Sequence, residues 1–140
     1  MKKREEKGSF GQRKYFRSGD LRLSYLEKGE ENQKVLLLLH GHMNDARNLM
    51  NLASRFSDWR VIALDQRGHG FSDHVSDLDY SRDSYIQDIL NLLQNVGNQQ
   101  PVTIWGHSLG GVNAYQFAAR YPEWVEAVVV EDIGVEIDLN

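Results

Sequence analysis

A mostly parallel, doubly wound α/β sheet of about six strands, with helices on both faces, is the fold class this sequence of 140 residues predicts. Three observations carry it. Apolar runs at 34–39, 59–64 and 125–130 read as strands buried on both faces. Stretches with apolar residues at helical spacing separate them. The strict alternation of the two is the pattern of parallel strands joined by crossover helices.

Taken in order, residues 1–9 are charged and predict a flexible N-terminal tail, leaving 10–140 as one core domain. Residues 10–16 and 21–26, with a turn at Lys28, Gly29 and Glu30, predict a hairpin at one edge of the sheet. The run 34–39 ends in His40, Gly41 and His42. Asn44 or Asp45 then caps a helix carrying Leu49, Leu52, Ala53 and Phe56. Strand 59–64 leads into a turn-rich loop, 65–73. Ser81 or Asp83 starts the next helix, with Ile86, Ile89, Leu90 and Leu93 on one stripe and Gly97 as its stop. Pro101 opens a strand, a helix follows over 109–120, and Pro122 prevents its continuation before the last strand, 125–130.

Composition narrows the function. A content of 41% hydrophobic and 26% charged residues is that of a soluble globular chain. The net charge of -4 argues against nucleic acid as a partner. No apolar run is long enough to span a bilayer, and the basic N-terminus has no apolar run behind it, so no secretory signal is read. With no cysteine, neither a disulfide nor a thiol mechanism is available, which fits the cytoplasm.

The chemistry concentrates at Gly106-His107-Ser108-Leu109-Gly110-Gly111, between a strand and a helix. A serine with glycine two residues before and after it, at a strand-to-helix junction, is a G-x-S-x-G elbow. The turn leaves no room for side chains at the flanking positions. It lifts the hydroxyl out of the sheet top, where the first N–H groups of the helix stabilise developing negative charge.

GHSLGG resembles the nucleophile motif of the serine-dependent α/β hydrolases. His40-Gly41-His42-Met43 resembles that family's oxyanion loop, and Asp65 to Ser72 is similar to its D-x-R-G-x-G-x-S loop. The resemblance covers residues 16–134. It implies Ser108 as nucleophile and an oxyanion hole formed by the N–H groups of Leu109 and of His42, with Met43 as the alternative to His42. It also implies a small-molecule acyl substrate cleaved through an acyl-enzyme, at an ester, thioester, amide or C–C bond, and a perhydrolase acting without cofactor remains open on the same residues. Serine chemistry needs neither metal nor cofactor. Asp132 is the candidate triad acid, with a loop anchor as the competing role, and Glu131 is a weaker candidate. His69 is expected to hold its loop, His107 to pack away from Ser108, His74 to be solvated, and Asp65 to pair with Arg67. Serine at the elbow argues against the dehalogenase and epoxide-hydrolase branches, which need a carboxylate nucleophile.

The family's late catalytic histidine has no match here, so the core is expected to be incomplete at its C-terminus. Two alternatives to an active hydrolase follow: an idle fold remnant or interaction module, and a site completed by a second chain. The apolar strand 125–130, left without a further neighbour, predicts self-association through its edge.

Overall fold

The computed structural model describes residues 11–97 and 100–131. Six strands form one sheet: β1 (Gln12–Ser18), β2 (Leu21–Lys28), β3 (Val35–Leu39), β4 (Arg60–Asp65), β5 (Val102–His107) and β6 (Val125–Glu131). Their spatial order is β1-β2-β4-β3-β5-β6. The β1–β2 and β2–β4 pairs are antiparallel, and the β3–β4, β3–β5 and β5–β6 pairs are parallel. The chain therefore leaves β3 outward to β4 and returns past it to β5, which puts the strand-order reversal at β3. In open α/β sheets, ligands bind beyond the carboxyl ends of the strands at such a reversal.

Helices α2 (Arg82–Val96) and α3 (Leu109–Arg120) cover one face. Their Ile86, Ile89, Leu92, Leu93, Ala114 and Phe117 pack on Leu37, Leu39, Ile62, Leu64 and Ile104. Ser81 accepts from the Ser84 N–H at the start of α2, and Gly97 closes it in the left-handed conformation at φ 71°, so both ends lie where the sequence puts them. The other face packs Leu26, Leu36, Leu38, Val61 and Ala63 under a much smaller cover. Asp45 caps that cover, but what it caps is shorter than the expected helix. A 3₁₀ turn, Ala46–Leu49, passes into one α-helical turn, α1 (Met50–Ala53). Phe56 still packs against this face from beyond the helix end.

Strand β6 corrects one expectation. It forms, but it is not buried: Val129 and Val130 are 38% and 41% exposed. Among the described residues it pairs only with β5, and α3 covers one of its faces through Val125 and Val128. An apolar run reads as doubly buried only where both faces have cover. The tail 1–9 lies outside the described residues. No described helix is long and apolar enough to cross a membrane.

Candidate active site

The elbow sits where β5 ends. Ser108 adopts φ 55°, ψ -113°, a region a residue with a side chain occupies only when its surroundings impose it. The surroundings do so from three directions. A Cβ on Gly106 would overlap the Gly110 carbonyl, and one on Gly110 would overlap the Leu39 carbonyl at the end of β3. The glycines thus let the start of α3 lie directly on two strand ends. The Ser108 N–H donates to the Glu131 carbonyl at 3.0 Å, tying the turn to β6, and the Ser108 carbonyl accepts from Gly111 and Val112.

The 40–43 loop lies against this turn. A Cβ on Gly41 would come within 3.3 Å of the Ser108 Cβ and 3.0 Å of the His107 ring, so glycine permits the approach. The Gly41 carbonyl accepts from the Asn44 N–H and faces His40 Nδ1 at 2.7 Å. Met43 is held at φ 69° with its side chain 83% exposed. Among the described residues, the His42 and Met43 N–H groups donate to no backbone acceptor.

His40 is buried and structural. The Gln66 N–H donates to its Nε2 at 3.0 Å, so the ring proton resides on Nδ1 and bonds the Gly41 carbonyl. Burial pushes the imidazole down from 6.5 to about 4, keeping it neutral at physiological pH. His69 turns Nδ1 onto the Arg67 carbonyl at 3.0 Å and packs on the rings of His40 and His42, the loop-holding role expected of it. The His107 Nδ1 lies 3.6 Å from the Glu131 carboxylate, which also accepts from the Trp105 indole at 3.1 Å. His74 is exposed. Asp132 lies outside the described residues.

Asp65 and Arg67 do not pair with each other, contrary to expectation. Asp65 ends β4 while Arg67 lies beyond it in the turn-rich loop, where the extended register no longer sets side-chain direction, and each finds a partner distant in sequence. Asp65 pairs with Arg13 at 2.8 Å and accepts from Ser24 and from the N–H groups of Ala46 and Phe71. One buried carboxylate therefore fixes the loops after both β3 and β4. Arg67 instead takes Asp88 of α2 in a two-pronged pair at 2.7 and 2.9 Å, and that carboxylate raises the guanidinium above its ordinary value.

Two residues that the sequence reading passed over complete the site. The Gln66 side chain donates to the His40 carbonyl at 2.8 Å and accepts from Asn113 of α3 at 2.6 Å. Asn113 in turn accepts from Arg82 of α2. The signal was present: 110, 113, 114 and 117 share one buried helix face, and Asn113 is the polar residue on it. A cleft of about 530 Å³ opens between the two loops, bordered by His42, Met43, His69, Tyr80 and Tyr85. A smaller one of about 290 Å³ lies on the other side of the 40–43 loop, between Asn48, Leu49 and Glu131.

A strand order reversing at β3, a serine on a left-handed bend after β5 and a glycine loop packed beside it define a class of enzyme fold. The family description "alpha/beta hydrolase fold" matches residues 34–139, and the chain belongs to the α/β-hydrolase family. It is 36% identical to epoxide hydrolase 4 of Mus musculus, over 87% of this chain and 35% of that protein. It is also 36% identical to 2-(acetamidomethylene)succinate hydrolase of Mesorhizobium japonicum, over 86% of this chain and 42% of that protein. Among solved structures it resembles a putative lipase from Acinetobacter baumannii, with TM-score 0.86 and 29% identity over 94% of this chain and 44% of the other. The chain spans less than half the length of each of these relatives.

Proposed function

We propose that this chain carries the nucleophile and oxyanion half of a serine hydrolase, acting on a small acyl substrate with Ser108 as the nucleophile. The observation that carries the reading is the Ser108 bend, held at φ 55° by glycines that admit no side chain and flanked by the 40–43 loop. Strain of this kind persists where surrounding structure over-determines it, and it clusters at reacting groups.

In this reading the Ser108 Oγ attacks the substrate carbonyl carbon. The carbonyl π-electrons move to oxygen, and the resulting oxyanion is held by the N–H groups of Leu109 and His42. Collapse expels the leaving group with a proton and leaves an acyl-enzyme, which water hydrolyses to the acid and free serine. The base that takes the serine proton is not supplied by His40, whose nitrogens are engaged, and the His69 Nδ1 is turned onto its own loop. Asp132 remains the candidate acid to orient that base. Relatives whose names denote epoxide hydrolysis share the fold, but serine at residue 108 favours acyl transfer over carboxylate attack.

A fluorophosphonate probe tests this on the full chain. Mass spectrometry should find the adduct on Ser108, and Ser108→Ala should remove it. Labelling that appears only when a C-terminal fragment of a relative is added would mean the base arrives from elsewhere. No labelling in either condition favours the idle-fold alternative.

A further inference from the structure

We infer that Gln66 and Asn113 are positioning residues for the oxyanion loop, setting the orientation of the 40–43 peptides through a buried polar relay. The inference rests on the hydrolase reading only for what the loop does, not for how it is held. The relay runs across four elements. Arg82, in the first turn of α2, donates to Asn113 on α3. The Asn113 amide donates to the Gln66 Oε1, and the Gln66 Nε2 donates to the His40 carbonyl. The Gln66 N–H meanwhile fixes the His40 ring, whose Nδ1 proton bonds the Gly41 carbonyl. Both carbonyls of the peptide units that enter the loop are therefore occupied from beneath. This decides where the next N–H groups point, because a peptide unit is planar and fixing its carbonyl fixes the direction of its N–H.

The relay also has a direction. A carboxamide presents a donor on one side and an acceptor on the other, and the Arg82 end accepts no alternative, since a guanidinium only donates. With Arg82 donating, Asn113 must turn its NH2 to Gln66, and Gln66 must turn its own NH2 to the His40 carbonyl. Asn113 is fully buried and Gln66 is 1% exposed, so water cannot substitute for a broken link.

Polarity gives a test that simple loss of packing does not mimic. In Gln66→Glu, an ionised carboxylate still accepts from Asn113, but its other oxygen meets the His40 carbonyl where a donor had been. Protonation restores an O–H donor at that position. The groups facing this site are His40 and His69 from the strand-end loops, Asp65 and Arg67 on either side in sequence, and Arg82 through Asn113. Amide ¹H–¹⁵N shifts of Gly41, His42 and Met43 report the loop without requiring catalysis. In Gln66→Glu these shifts should depart from those of the unsubstituted chain at about pH 8 and return toward them at about pH 5. In Gln66→Met they should stay displaced at both. Asn113→Leu should displace them likewise, by freeing the Gln66 amide to turn. Where Ser108 reacts with the fluorophosphonate probe, its labelling rate should follow the shifts, falling about 10-fold or more when they are displaced. Loop shifts that stay unchanged in all three variants while thermal stability falls would overturn the positioning role. Absence of labelling both in the unsubstituted chain and with the added C-terminal fragment contradicts the hydrolase reading alone, and the amide shifts still decide the positioning role.

Discussion

The strand ends of β3, β4 and β5 and the outer strand β6 belong to one sheet but are held in different ways. At the strand ends, the Asp65 carboxylate serves both neighbouring loops, Arg67 grips Asp88, and the elbow glycines lie against backbone carbonyls. At β6, one partner strand and one helix are the support among the described residues, and Val129 and Val130 are exposed. The contrast teaches that geometry here is enforced by backbone contact and buried charge, while apolar content alone leaves a strand exposed. Substitutions should therefore cost most at the loops and least at β6.

The largest effect is expected at Gly110. A side chain there meets the Leu39 carbonyl, which belongs to a central strand and cannot move aside. Gly110→Val should abolish the cooperative thermal transition seen by circular dichroism, whereas Gly19→Ala, at a φ of 61° with nothing within 4 Å, should cost only about 1 kcal/mol. Next comes Asp88→Ala, which leaves the largely buried Arg67 guanidinium, among the described residues, with only the Asp79 carbonyl at 2.8 Å and the Asp79 carboxylate at 3.8 Å, and should destabilise by about 3 kcal/mol in urea titrations.

The third effect is a pH dependence. The folded-state pKa of His40 lies below its unfolded value, so between pH 6.5 and about 4 the unfolded chain binds the extra proton. Its contribution to stability is complete above about pH 6.5 and is lost as pH falls toward 4, by an amount on the order of 3 kcal/mol. An NMR titration should find the His40 ring neutral, with the proton on Nδ1, at pH 5.5. A midpoint near the ordinary histidine value would break the link between burial and loop order. The smallest effect on folding belongs to Val130→Lys, expected within about 0.5 kcal/mol. If the bare edge drives self-association, as its apolar surface predicts, the same change should shift the sedimentation distribution toward monomer.

How much of this was legible in the sequence divides along the same line. The alternation of strands and helices, the Ser81 and Gly97 ends of α2, the hairpin and the elbow all follow from local pattern, although the first hairpin strand lies two residues later than expected and the helix after Asp45 is shorter. The ion pairs were not legible. Arg67 finds its partner 21 residues away and Asp65 finds one 52 residues away, and spacing along the chain carries no trace of either. The relay was half legible, since Asn113 breaks an apolar helix face, but its link to Gln66 needs the packing of α3 over the strand ends. Strand β6 is half legible: its apolar run reads as buried, because such a run records what a strand can bury and not what lies over it, while the missing further neighbour points to an exposed edge.

Acyl transfer at Ser108 requires the Leu109 and His42 amides to face one point in front of its hydroxyl. A tetrahedral boronate adduct places an oxygen at that point, and amide NMR reads the result directly. On adding phenylboronic acid to the full chain, the Leu109 and His42 N–H signals should move together, and Ser108→Ala should leave both unmoved. Signals that stay still in the unsubstituted chain, or that move equally in Ser108→Ala, would contradict the site as described.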